Sequence, residues 1–184
     1  MATGERILAA AAEMTAEVGW SGVTMAAVAE RVGVSRQTVY NEWGSRDRLA
    51  EAMVLRELGT FLDEVDAGFD AHPDDLEAGV ADAIGRVLRL ARINPLLRAI
   101  VTATHGAETE LVPLLTTRAD VVIAVAGERV RDRLMAYPGV VDGALDTTVD
   151  LLVRTVLSHV MQPSADVAAV PGALAHAVAR LLGD

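Results

Sequence analysis

Residues 24–49, TMAAVAERVGVSRQTVYNEWGSRDRL, hold two short helix signals separated by one glycine, with a third helix signal close behind. Thr24 offers a hydrogen-bond acceptor where a helix needs a cap, and Met25, Val28 and Val32 then share one face at helical steps. Ala29 keeps the side chain small where a second helix must cross closely. Gly33 supplies the turn, Ser35 caps the second helix, and Val39 points inward at helical spacing from Ser35. Arg36, Gln37, Thr38, Tyr40 and Asn41 are left facing outward, hydrogen-bonding groups in place of the Glu and Lys of an ordinary surface helix. This arrangement predicts a helix-turn-helix whose second helix enters a groove of double-stranded DNA. The competing reading is a helical hairpin whose polar face is only solvated.

Roles follow from chemistry. Gln37 suits adenine and Arg36 suits guanine or a phosphate. Thr38 and Asn41 can reach phosphates or base edges, while Thr24, Ser35, Tyr40 and Arg46 are better placed for phosphates, together with the amides opening the next helix.

These residues resemble the N-terminal domain of the TetR family of transcriptional regulators. The family pattern is a first helix ending in Gly plus an aromatic (Gly19-Trp20), then Thr24, an Ala-containing helix and Gly33-Val34-Ser35. A recognition helix ending in Tyr40, an aromatic at Trp43 and the run Ser45-Arg46-Asp47-Arg48-Leu49 complete it. Trp43 stands where the family usually has Phe, and Asn41 where an aromatic or His is common. The resemblance implies an all-α fold of about nine helices. Its parts would be a three-helix helix-turn-helix domain over 1–48 and a helical ligand-binding and dimerisation domain over 49–184. It also implies a homodimeric repressor on a palindromic operator, released by a small ligand.

Charge sharpens the DNA reading. The formal net charge is −10, but residues 1–50 carry five Arg against six acids, so the acidity sits mainly in the remainder. With no Lys, every cationic phosphate contact must come from Arg. An acidic body suppresses indiscriminate adsorption and leaves a small footprint around Arg36, Arg46 and Arg48, which predicts a modest salt dependence.

Beyond residue 50 the apolar period stays near 3.6. Ile7, Ala11, Met14 and Val18 form a stripe in the first helix. Ser45 opens a long helix through Leu49, Met53, Leu58, Phe61, Leu62, Val65 and Phe69. Another runs from Leu76 to Ala91 and is stopped by Asn94-Pro95, and a short one covers Leu96 to about Ala103 before a turn at His105-Gly106. One helix is expected from about Glu110 to Ala136, with Leu114, Val121, Val122, Val125, Val130 and Leu134 in its apolar pattern. The last two are expected over 142–161 and about 166–182. Both are apolar over a wide arc, so they need a second covering surface, and a symmetry mate forming a four-helix bundle would supply it. Burial within one chain is the alternative.

Between residues 51 and 184 the only aromatics are Phe61, Phe69 and Tyr137, so a cavity there would be walled by aliphatic side chains. That suits an apolar, aliphatic or acyl effector, with Phe61 in the wall and Arg98, His105, Arg118 or His159 as polar anchors. Surface ion pairs and locally hydrogen-bonded histidines are the plainer roles for those four. An enzyme is not expected: no Gly-rich phosphate loop or nucleophile elbow is present, and Asp74-Asp75 reads as a helix N-terminus. Only His105 and Glu108 have spacing suited to sharing a metal, and there is no Cys, so neither metal nor cofactor is expected. No apolar run approaches the roughly 18 residues of a membrane span, and a cytoplasmic location is the default. The rival within the same fold is a helical dimeric ligand-binding or interaction protein without DNA-binding function.

Overall fold

The computed structural model describes residues 2–102, 111–115, 119–140 and 142–183. Along them run α1 (Thr3–Val18), a 3-10 turn (Trp20–Gly22), α2 (Met25–Val32), α3 (Arg36–Trp43), α4 (Arg46–Asp70) and α5 (Leu76–Ile93). Then come α6 (Pro95–Thr102), α7 (Val112–Leu115), α8 (Asp120–Met135), α9 (Asp142–Met161) and α10 (Val170–Leu182). The single turn α7 aside, these are nine helices among the described residues, with no strand. No helix among those residues is long and apolar enough to cross a membrane. The chain forms two compact units, Met1–Glu57 with Asn94–Arg118, and Leu58–Ile93 with Ala119–Asp184. The division falls inside α4, which supplies residues to both.

In the first unit the interior is built by Ile7, Ala11 and Met14 of α1, Met25, Val28, Ala29 and Val32 of α2, Val39 of α3, and Leu49 and Met53 of α4, all buried. Val18 does not join them and is 57% exposed. It is the last residue of α1, and what lies against it is Gly22, whose added Cβ would meet Val18 Cγ2 at 2.8 Å. Thr15 is buried instead, its hydroxyl donating to the Ala11 carbonyl at 2.7 Å. Arg6 donates to the Val32 carbonyl at 2.7 Å and so ties α1 to the end of α2. Asn94 does more than stop α5. Its Oδ1 accepts from the Leu97 amide at 2.8 Å, its Nδ2 donates to the Glu57 carboxylate, and Pro95 opens α6 where no amide is needed. Leu96, Leu97 and Ile100 are thereby buried on a helix that packs on α1.

The second unit encloses Phe69, Val80, Ile84, Leu134, Leu145, Val149 and Val178. α4 and α5 approach so closely at Gly68 that a Cβ there would stand 2.4 Å from the Ala83 backbone. Tyr137 is buried, its hydroxyl donating to the His72 carbonyl at 2.7 Å and its ring tilted on Phe69 at 6.1 Å. Burial raises its phenol above the ordinary value.

Two expected helices are corrected. The one expected from Glu110 is divided, because Ala119 is not helical and α8 starts at Asp120. Pro113 belongs in a first turn, two β-branched threonines follow at 116–117, and Asp120 favours a fresh N-terminus. Within α8, Val121 and Val125 are 50% and 40% exposed, because the buried line runs through Val122, Val130 and Leu134. The last helix starts at Val170 rather than Asp166, since Pro171 has no amide for an interior turn and sits in the first turn.

Candidate nucleic-acid interface

The reading head is assembled by local hydrogen bonds. The Thr24 hydroxyl accepts from the Ala27 amide at 3.1 Å, which fixes the start of α2. Gly33 ends that helix in the left-handed region at φ 75°, where any side chain would be strained. The Val34 amide bonds back to the Ala29 carbonyl at 2.9 Å, closing the turn. Ser35 then caps α3 by accepting from the Thr38 amide at 3.0 Å, and the two hydroxyls lie 2.8 Å apart. Thr24 and Ser35 are exposed; the capping Thr24 hydroxyl keeps a proton that it can donate elsewhere, and the Ser35–Thr38 hydroxyl pair keeps one between them.

Val39 is fully buried and sets the rotation of α3, so that Arg36, Gln37 and Asn41 are exposed and Thr38 and Tyr40 half-buried. Two parallel i,i+4 pairs lie along this face. Arg36 Nη2 donates to the Tyr40 hydroxyl at 3.3 Å with its guanidinium 5.4 Å from the ring centre. Gln37 Nε2 donates to Asn41 Oδ1 at 2.8 Å. That bond uses one Gln37 proton and leaves its Oε1 and second Nε2 proton, the donor and acceptor that match an adenine edge.

Arg31 and Arg46 are engaged with protein. Arg31 donates to Glu17 at 2.7 Å; this bond lowers the Glu17 pKa and raises that of Arg31. Arg46 is half-buried, with Nε on the Val23 carbonyl at 2.8 Å, Nη2 on the Trp20 carbonyl at 2.5 Å, and its guanidinium 4.5 Å from the centre of the Trp20 ring. Sequence reasoning did not find those partners. Gly19-Trp20 was visible as the end of α1, but nothing local marks two carbonyls as acceptors for a residue more than twenty positions away. Arg48 is exposed beside Gly44, and Ser45 caps α4 by accepting from the Arg48 amide at 3.2 Å.

Three of the expected ligand-site residues lie among the described residues. Phe61 is half-buried against the core of the second unit. His159 lines a cavity of about 40 Å³ with Leu88, Ala91, Arg92, Val160, Pro163 and Val167. Arg98 is exposed on α6 in the first unit. His105 and Arg118, like the turn at 105–106 and the His105–Glu108 pair, lie outside the described residues. Arg92 was missed because, at the end of a helix, it reads as an ordinary dipole partner. The cavity's volume is far below the roughly 300 Å³ or more of a site for a drug-sized ligand.

Comparison with known proteins bears on both units. Residues 7–53 match the family described as bacterial regulatory proteins, tetR family, and residues 75–180 match the bacterial tetracyclin repressor C-terminal domain. The HTH-type transcriptional regulator AlkX of Mycobacterium tuberculosis is 31% identical over 149 residues, 80% of this chain and 70% of that protein. The crystal structure of the TetR family repressor AlkX from Dietzia sp. strain DQ12-45-1b, implicated in biodegradation of n-alkanes, superposes with a TM-score of 0.79 at 27% identity. It covers 96% of this chain and 93% of its own. The R. erythropolis transcriptional repressor QsdR shares the fold, with a TM-score of 0.63 at 18% identity over 98% of this chain and 94% of its own.

Proposed function

The chain belongs to the TetR family of bacterial transcriptional regulators, and from that membership we propose that it represses transcription as a cytoplasmic homodimer bound to a palindromic operator and released by an apolar, aliphatic effector. The observation that carries the reading is the exposed polar face of α3 around buried Val39. Gln37 and Arg36 read base edges, with Thr38 and Asn41 beside them, while Thr24, Ser35 and Tyr40 hold phosphates. Reading resides in residues 1–48, and effector binding and dimerisation in 49–184.

The dimer is formed through α9 and α10. Leu151 and Leu181 are 54% and 52% exposed there, and Leu174 and Met161 are half-buried, so these helices carry apolar surface that one chain leaves uncovered. A two-fold pair can place two copies of α3 in successive major grooves, roughly 34 Å apart, and an effector that favours a different spacing releases the operator. The aliphatic class is supported by the scarcity of aromatics beyond residue 50 and by the n-alkane association of the Dietzia relative. Phe61 contributes to the wall, and Arg98, His105, Arg118 and His159 are the candidate anchors, with Arg92 next to His159. No catalytic step, cofactor or metal is assigned.

A mobility shift against the DNA upstream of the protein's own gene tests this reading. Wild type should retard that duplex, the Arg36→Ala/Gln37→Ala variant should not while melting at the same temperature, and a medium-chain alkane or fatty acid should release it. Retardation by the double variant equal to wild type would refute the assignment of α3, and equal affinity with every alkyl compound that binds would refute the effector class.

A further inference from the structure

Arg46 opens α4 at a position that sequence reasoning gave to a DNA phosphate. An arginine grips phosphate best through its planar fork, two N–H groups pointing the same way. Here Nε and Nη2 are both directed at protein carbonyls, those of Val23 and Trp20, at 2.8 and 2.5 Å. The face of the same guanidinium lies 4.5 Å from the centre of the Trp20 ring, which is itself buried. One side chain therefore uses both an edge and a face on the segment between α1 and α2, residues 19–24.

That segment positions the reading head. The Trp20 carbonyl also accepts from the Val23 amide at 2.9 Å, so Arg46 closes the same turn that the main chain closes. Val23 is fully buried, and Thr24 next to it caps α2, whose far end leads through Gly33 into α3. At the other end, α3 reaches α4 across Gly44, at φ 72°, and the Ser45 cap. The two helices of the motif are thus fixed to the first turn of α4 at both ends, by the covalent turn after α3 and by the Arg46 contacts before α2. Without the Arg46 contacts, α2 and α3 are held to α4 by the turn at Gly44 and the shared packing of Val28, Val39, Leu49 and Met53, with no polar tie before α2 to fix their orientation.

We infer that Arg46 is a positioning residue, a latch that sets the orientation of the helix-turn-helix on α4, and that it does not hold a phosphate. This rests on the DNA-binding reading for its consequence, though not for its geometry. A latch has a distinct signature: losing it blurs the placement of α3, which matters for sequence-specific contacts but hardly for non-specific adsorption.

The test uses full-length wild type, Arg46→Lys and Arg46→Met, all assayed well below their melting temperatures. Lys keeps the charge for a phosphate but lacks the planar fork that reaches both carbonyls while its face stacks on Trp20, and Met has no donor at all. The readouts are affinity for the gene's upstream duplex and for a scrambled duplex across a salt series, and amide exchange of residues 20–24 without DNA. Both variants should lose about tenfold or more in the specific-to-scrambled ratio. The salt slope should stay at its wild-type value, and exchange at 20–24 should quicken. Rescue of the ratio by Arg46→Lys, with a slope shallower by about 1 per subunit in Arg46→Met, would identify a phosphate contact and overturn the proposal. A wild-type ratio in both variants despite faster exchange would reduce Arg46 to a merely structural part and also overturn it. If wild type prefers no upstream duplex, the DNA-binding reading is what fails. Unchanged exchange at 20–24 overturns the latch whatever DNA does.

Discussion

Two glycines nine positions apart in α4 should respond in opposite directions to the same substitution. Gly59 and Gly68 both lie in the interior of this helix, where Ala is preferred over Gly by about 1 kcal/mol. Around Gly59 a new methyl would meet nothing within 4 Å, so Gly59→Ala should collect most of that gain. At Gly68 the methyl would stand 2.4 Å from both the Cα and the N of Ala83 and 2.9 Å from its Cβ. Those atoms are mainly backbone, so relief requires α5 to move off α4 by about 1 Å, against an ordinary contact near 3.5–4 Å. The movement would loosen the buried neighbours Phe69, Val80 and Ile84. Overpacking of this kind costs about 1–3 kcal/mol or more. Gly68→Ala should therefore destabilise by about 0–2 kcal/mol net, while Gly59→Ala stabilises. With about 2–4 °C per kcal/mol for a chain of this size, the two melting temperatures should differ by several degrees. Thermal unfolding followed by circular dichroism at one fixed protein concentration reads this directly. A Gly68→Ala protein as stable as Gly59→Ala would show that α4 and α5 do not pack as described.

Ser35→Ala removes the cap of α3 and should cost about 1 kcal/mol in chemical denaturation; an unchanged midpoint would contradict the capping geometry. Tyr137→Phe leaves the His72 carbonyl without its 2.7 Å donor and should cost about 1–2 kcal/mol near neutral pH. Because burial raises the folded phenol above its ordinary value of 10.0, the unfolded chain ionises first. The wild-type contribution is complete below pH 10 and declines as pH rises through the folded value, a decline that Tyr137→Phe should lack in alkaline melts. Leu151→Asp with Leu181→Asp should weaken self-association at least tenfold in sedimentation equilibrium, and a dimer as tight as wild type would move the interface away from α9 and α10.

The helices were legible where local chemistry speaks. Thr24 and Ser35 fix ends through bonds to near neighbours, Gly33 through its left-handed backbone and Pro95 and Pro171 through the amide they lack, and Val39 follows from spacing alone. Distance in sequence hid the rest. That residues 94–118 group with 1–57 depends on Asn94 meeting Glu57 and on α6 packing against α1. Val18 kept the right phase but ran out of neighbours at the end of its helix. Arg46 was readable as a cation at a helix start, where a phosphate is the common partner. Its two carbonyl acceptors come from a turn whose proximity only the folded chain creates.

The most direct test of the central claim is a base-by-base specificity profile of the operator selected by wild type, repeated with Gln37→Ala. If α3 reads DNA as half of a paired reader, wild type should select a palindrome whose half-sites lie about one helical turn, or a multiple of it, apart. Gln37→Ala should lose about 1–3 kcal/mol of discrimination at one symmetry-related pair of positions and leave the others intact. A selected site without two-fold symmetry, or a profile untouched by Gln37→Ala, would contradict the account.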